Sequence, residues 1–413
     1  MTEFVKINAD LHIHSPFAGG VSEKMSPHTI AQTAPLKGLH LIGTGDILNE
    51  NWIKIIQEQL QKTDDESIFM HKNGTKFILQ TEIADDNRVH HIILFPSLSK
   101  VYELREKFAR YCTDLDKEGR PSIHLNGEQI AEICSEANCL LGFSHAFTPY
   151  FGLYSKFNSY KECYGKNWDK IYFMELGMSA DTDMADRILE LHNLTFTSNS
   201  DAHSAWANRI GREFTQFLME GISFAELEKA LKRVDGRKAI LNVKFNPLEG
   251  RYHKTRCTGC LKFFEPAEAK KFWWRCPNCK KPIKKGVDWR IEELSDVPAN
   301  NHPEHRPPCL HIIPLSEIIS MAIKVRNPWA QKVQDEWMRF VKTFGTEIDI
   351  LINKNTEELA TLNKEVAKYI EFFREGKIKY IPGGAGIYGK LIPPGENADI
   401  DNFTGQQKSL TDF

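Results

Sequence analysis

No apolar run in these 413 residues approaches the ~18 needed to cross a bilayer. The opening Met1-Thr2-Glu3-Phe4 has neither the basic start nor the apolar stretch of a secretion signal. A cytoplasmic protein with no membrane partner is therefore expected. The nine cysteines are an odd number with four in one paired array, which argues against a disulfide framework. Cys112, Cys134, Cys139, Cys163 and Cys309 read as reduced, mostly buried thiols. No G-x-G-x-x-G loop follows the first strand-like run, so a dinucleotide fold is not indicated. Internal repeats and low-complexity tracts are also missing.

The chain does have enough apolar residues, 41%, to build sizeable cores, and a length that suggests two or three domains. Residues 1–240 alternate apolar runs with amphipathic stretches. Strands are expected at 5–11, 40–44, 76–81, 91–95, 139–143, 171–176 and 194–197, and helices at 101–111 and 127–137. Seven strands alternating with helices suggest a closed parallel α/β barrel. Residues 241–301 turn basic, cysteine-rich and aromatic, and helical periodicity resumes over 315–373 after a Pro- and His-rich joint at 300–308. The expected units are thus a barrel (1–240), a basic module (241–301), a helical region (302–392) and a flexible tail (393–413).

Four acidic or imidazole-bearing clusters each follow a short apolar run: Asp10-Leu11-His12-Ile13-His14, Thr44-Gly45-Asp46, Ser144-His145-Ala146 and Ser200-Asp201-Ala202-His203. A barrel gathers such strand-end loops at one mouth, where several metal ions can be held. His12 and His14 stand two apart, as do Asp201 and His203, so both side chains of each pair leave the strand on one side. Asp46, Glu82, His91 and His145 complete the candidate ligands of two or three divalent cations (Zn, Mn or Mg). Asp46 alone also reads as a helix N-cap, and His90 and His40 read as structural histidines. Glu82 can bridge two cations, and a water held between them becomes a nucleophile near neutral pH. Hydrolysis of a phosphate ester is the implied chemistry, with His14, Glu82, Asp201 and Arg209 as catalytic residues. Arg209 reads equally well as half of a structural ion pair.

Asp-Leu-His-Ile-His-Ser, Thr-Glu-Ile, Val-His-His-Ile-Ile-Leu, Ser-His-Ala and Ser-Asp-Ala-His, in that order over residues 5–215, resemble the PHP (polymerase and histidinol phosphatase) superfamily. The resemblance implies a distorted (β/α)7 barrel with up to three metal ions. Thr44-Gly45-Asp46 stands where that superfamily usually carries Thr-Asp-His.

Cys257-x2-Cys260 and Cys276-x2-Cys279, fifteen residues apart, can close a tetrahedral structural Zn²⁺ site. Between Arg251 and Arg290 there are 12 Lys and Arg against three acidic residues, a surplus of nine positive charges in a chain whose total is −2. Lys270, Lys271, Arg275, Lys280 and Lys281, interleaved with Trp273 and Trp274, have the composition of a strand-binding surface. A solvated basic face is the plainer alternative.

Barrel, four-Cys module and helical region in this order, with Pro-Pro-Cys-Leu-His-Ile-Ile-Pro-Leu-Ser-Glu at 307–317 and Pro-Gly-Gly-Ala-Gly-Ile-Tyr-Gly at 382–389, resemble the endonuclease Q family of DNA-repair nucleases. That resemblance implies damaged DNA as partner, nicked 5′ of deaminated bases (uracil, hypoxanthine, xanthine) or abasic sites. A flipped base needs aromatic or apolar walls, and Phe147, Tyr150, Phe151 and Tyr154, just after His145, are the candidates; core packing competes for about half of these rings. Tyr388 and its Gly-rich loop are expected to approach the DNA. Gln407, Leu410 and Phe413 give the last seven residues the Q-x-x-L-x-x-F form of a sliding-clamp peptide, a form short enough to arise by chance. A small-molecule phosphatase of the histidinol-phosphate type, or a DNA-binding scaffold with an inert barrel, are the alternatives. In a bacterium the protein would associate with the nucleoid.

Overall fold

The computed structural model describes residues 3–393. The expected strands are present, and they do not join into one parallel ring. β1 (Val5–Asp10), β2 (Leu41–Gly43), β3 (Gln61–Lys62), β4 (Ile68–Met70) and β5 (Lys76–Ile78) belong to a first sheet, with β11 (Phe214–Met219), β12 (Lys238–Lys244) and the strand Cys309–His311. β6 (Gln80–Ala84), β7 (His90–Leu94), β8 (Leu140–Phe143), β9 (Phe173–Glu175) and β10 (Thr195–Thr197) form a second. Both sheets are mixed: β1 runs parallel to β2 but antiparallel to β11, and the β6–β7 hairpin is antiparallel.

The two sheets are seamed into an interrupted barrel. On one side the chain steps through Leu79 from β5 into β6, so the expected run 76–81 is cut in two. Leu79 donates its amide to the Ser67 carbonyl beside β4 and accepts the Phe95 amide beside β7, and so hands the chain from one sheet to the other. On the other side Ile13 bridges Ala202 in parallel, and Asp10 accepts the Ser200 and Gly211 amides, each at 2.9 Å. The strand ends thus converge on one mouth without a continuous hydrogen-bonded wall.

Helices around the sheets carry their own start and stop signals. The helix Pro27–Lys37 has Ser26 as N-cap in a capping box with Thr29, Pro at its first turn, and Gly38 at φ +89° as its left-handed stop. Beyond the basic module, the helices Leu315–Ala322, Gln331–Phe344 and Lys364–Arg374 share one core with the barrel: Phe340 and Ile370 belong to the same buried cluster as Ile30 and Phe95. A buried Lys37–Glu347 ion pair, 2.5 Å, crosses that boundary.

β12 spans the boundary expected at residues 240–241. The chain leaves it at Lys244, builds the cysteine module, and returns through Cys309–His311 parallel to β12 in the same sheet. Among the described residues no helix is long and apolar enough to cross a membrane.

Candidate functional site

Glu82, fully buried on β6, is the centre of the mouth. Its Oε1 lies 3.5 Å from His12 Nε2, 3.3 Å from His90 Nδ1 and 3.1 Å from His145 Nε2. Its Oε2 lies 3.4 Å from His14 Nε2 and 3.3 Å from the Arg120 guanidinium. Asp201 Oδ1 approaches His14 Nε2 at 3.1 Å, and His203 closes this side at 3.7 Å. Three overlapping donor groups result: His12–His14–Glu82, His14–Asp201–His203 and Glu82–His90–His145.

Burial tests whether these donors suit cations. His12 Nε2, His14 Nε2, Glu82 Oε1 and Asp201 Oδ1 are all buried and hydrogen-bond to nothing. A lone polar atom in that condition is costly, and several aimed at common points fit divalent metal ions. Burial acts to lower His12, yet Glu175 and Glu82 hold it well above the usual histidine value. Burial pushes Glu82 upward, yet His90 and His12 keep it well below the usual carboxylate range. His90 itself is lowered to about 4, chiefly by burial.

The outer nitrogens are held in place. His12 Nδ1 pairs with Glu175 at 2.8 Å, and Glu175 also accepts from Asn199 Nδ2 at 3.1 Å. His14 Nδ1 pairs with Asp46 at 2.9 Å, whose other oxygen takes the Ser15 amide and hydroxyl at 2.6 and 2.7 Å. Carboxylates behind metal-facing imidazoles fix ring orientation and raise basicity. Asp46, His145 and Asp201 all sit at positive φ (40°, 27° and 47°), a conformation costly for non-glycine residues that concentrates at functional sites. Gly177, where an added Cβ would come within 2.5 Å of His145 Cβ, leaves that residue its room.

Several expectations need correcting. Asp46 is not among the converging donors and stands behind His14. His91 faces away from the mouth, where Nδ1 meets the Tyr164 hydroxyl at 2.8 Å; its neighbour His90, expected to be structural, takes the place beside Glu82 and His145. Arg209 lies with its guanidinium 5.6 Å from the centre of the Trp329 ring. Phe147 and Tyr154 are stacked on one another at 4.9 Å and buried, so neither can line an open pocket. Tyr150 is exposed, and Phe151 stacks on His90 at 4.7 Å under Arg88. Glu175, Asn199 and Arg120 were not anticipated. A glutamate inside the apolar run 171–176 was the one local sign of the first.

In the basic module, Arg256–Cys257 pairs antiparallel with Ile283–Lys284. This ribbon brings Cys257 Sγ to 3.3 Å from Cys279 Sγ and Cys260 Sγ to 3.5 Å from Cys276 Sγ, with all four mutually within 4.8 Å. Such spacing suits one tetrahedral ion. Lys270, Lys271, Arg275, Lys280 and Lys281 are exposed. Trp273 and Trp274 are consecutive left-handed residues (φ 53° and 59°). This turn throws Trp273 out, 88% exposed, while Trp274 packs on Trp289 at 4.7 Å. Tyr388 is exposed beside Arg251. The glycine loop it belongs to packs on the module's entrance: Gly384 bridges Lys254, and side chains at Gly383 or Gly389 would strike Gly250 or Leu248. Gln407, Leu410 and Phe413 lie outside the described residues.

An imidazole and carboxylate cluster bridged by one glutamate, at the mouth of an interrupted α/β barrel, defines a metal-dependent phosphoesterase of the PHP superfamily. Residues 181–234 match the PHP-associated family model and residues 314–377 the MJ0043 C-terminal domain. The lesion-specific endonuclease PfuEndoQ of Pyrococcus furiosus superposes with a TM-score of 0.91 at 43% identity, over 98% of this chain and 100% of that one. An endonuclease Q complex with a 27-mer duplex carrying an abasic lesion at its active site superposes at 0.88 and 43%, over 95% and 97%. Protein MJ0043 of Methanocaldococcus jannaschii is 46% identical over 252 residues, 60% of this chain, which spans only 31% of that longer protein. The chain belongs to the endonuclease Q family.

Proposed function

We propose that the protein is a DNA-repair endonuclease that hydrolyses the phosphodiester 5′ of deaminated bases (uracil, hypoxanthine, xanthine) or of abasic sites. The observation that carries this reading is the convergence of buried, unpartnered donors on Glu82 in a chain similar over nearly its whole length to endonucleases of that type.

His12, His14, Glu82, His90, His145, Asp201 and His203 would hold two or three divalent cations, of zinc, manganese or magnesium, and the four cysteines one structural zinc. Bound in the mouth, the cations supply an activated water and neutralise the departing oxygen. Glu175 and Asp46 hold His12 and His14 in orientation. Arg120, one third exposed against Glu82, offers a fixed cation to the scissile phosphate. The basic ribbon grips the backbone, with Trp273 available to stack on a base. Phe151, stacked on His90, and its exposed neighbour Tyr150 offer a wall to a nucleotide rotated out of the duplex. The barrel, the cysteine module and the helical region then divide the labour as cutter, grip and support. Such work belongs in the cytoplasm, on the chromosome. A sliding clamp recruiting the chain through residues 407–413 is a further reading, and unchanged clamp affinity on deleting them would end it.

The test is incubation with end-labelled duplexes containing uracil, hypoxanthine, xanthine or an abasic site, and mapping of the nick. A cut on the 5′ side of the lesion, absent on undamaged duplex and lost in Asp201→Ala, is expected. Phosphate release from small phosphomonoesters without nicking would return the assignment to a phosphatase.

A further inference from the structure

β7 presents His90 to the mouth and therefore sends His91 to its other face, since consecutive strand residues alternate. There His91 meets Asp85, from the end of the β6–β7 hairpin, and Cys163, from the helix Tyr160–Tyr164. All three residues are buried.

Asp85 Oδ2 and His91 Nε2 lie 3.4 Å apart, and each is buried without a hydrogen bond. The other atoms of both side chains are already committed. Asp85 Oδ1 accepts the Asn87 and Val89 amides at 2.8 Å each, which fixes the carboxylate. His91 Nδ1 is 2.8 Å from the Tyr164 hydroxyl, which orients the ring and leaves Nε2 free to act as a ligand. The Cys163 thiol completes a group whose donor atoms all lie within 4.8 Å of one another. The helix Gly127–Glu136 starts on a residue without a side chain where a Cβ would come within 2.6 Å of that sulfur.

This spacing is informative. Ligand atoms about 2.0–2.3 Å from a tetrahedral ion stand roughly 3.3–3.7 Å from each other, and the Asp85–His91 separation falls in that range. One carboxylate, one thiolate and one neutral imidazole around a divalent ion sum to zero charge, which suits a site inside a core. A mixed sulfur, nitrogen and oxygen set selects zinc over magnesium or calcium. We propose that Asp85, His91 and Cys163 bind a structural zinc-class cation on the back of β7, separate from both the mouth cluster and the four-Cys module. Burial pushes the free Cys163 thiol upward, and coordination is the ordinary way such a sulfur becomes a thiolate. The bound ion would tie the β6–β7 hairpin, which carries Glu82 and His90, to the helix behind it.

The experiment is anomalous diffraction from crystals of the full chain grown with zinc chloride, with data above and below the zinc absorption edge. A difference peak between Asp85, His91 and Cys163, beside the one expected among the four cysteines, supports the site. The same map from Cys163→Ala should lose that peak alone, and metal analysis should fall by one equivalent. If the four-Cys position is filled in the wild-type crystal and no density appears between the three residues, the proposal is overturned, however the variant behaves.

Discussion

The mouth cluster and the four-Cys ribbon both gather metal-ligating side chains within 4.8 Å of one another, and they reach that end by opposite routes. The ribbon draws its ligands from 23 residues, Cys257 to Cys279, on two short turns that one hairpin closes. The mouth draws His12 to His203 from five separate strand ends. It holds them with left-handed backbone at Asp46, His145 and Asp201 and with carboxylates behind two of the rings. A closed set of thiolates leaves no position for substrate, whereas the mouth is open at Asp201, whose side chain is 36% exposed. On the proposed reading the mouth cuts and the ribbon holds, and each can be attacked alone.

The largest effect is expected at the mouth. Asp201→Ala removes a donor outright and should abolish nicking, a loss beyond the roughly 100-fold ceiling seen for changes one residue further out, with DNA affinity in a gel-shift assay largely kept. If affinity collapses together with activity, the two regions do not divide their tasks. Glu175→Gln keeps the shape but weakens the hold on His12, and should reduce metal affinity or turnover by about 10–100-fold, recovered in part by excess metal ion. On the ribbon, Trp273→Ala should weaken DNA binding by about 1–3 kcal/mol through lost stacking, without moving the melting temperature, because so exposed a ring supports nothing. The smallest change is Lys281→Ala: affinity for all sequences falls slightly, and the slope of log affinity against log salt becomes shallower by about one. A cut site displaced by either ribbon variant would show that the grip also sets register.

Legibility followed the same division. The gathering of the four cysteines could be read from spacing alone, because they are sequence neighbours. His12 with His14 and Asp201 with His203 could also be read, since a two-residue spacing at a strand end is a local signal. Their partners could hardly be read: Glu175, Asn199 and Arg120 matter only because β9, the 199–201 turn and the loop before Asn126 reach the same mouth, and apart from a glutamate inside an apolar run nothing near them in the chain says so. The exchange of His91 for His90 is a matter of strand face. Consecutive strand residues face opposite sides, and two adjacent histidines give no clue to which is inward. The barrel was legible as alternation, but the break at Leu79 and the antiparallel hairpin that follows depend on pairing that no single run reveals. Phe147 and Tyr154 illustrate the same limit, since aromatic rings following a ligand serve core and pocket alike.

The ribbon is an insertion whose two ends leave and rejoin the sheet on neighbouring strands, β12 and Cys309–His311. It is bolted down again where Arg290 donates to the Tyr154 and Phe157 carbonyls at 2.7 and 2.8 Å. The module is thus anchored to the barrel at both of its ends and at Arg290. On the proposed reading, in which the ribbon grips DNA, this mounting sets the length of duplex between grip and blade when the chain folds, and lengthening the tether near Asn246 should shift the cut while the edge stays sharp.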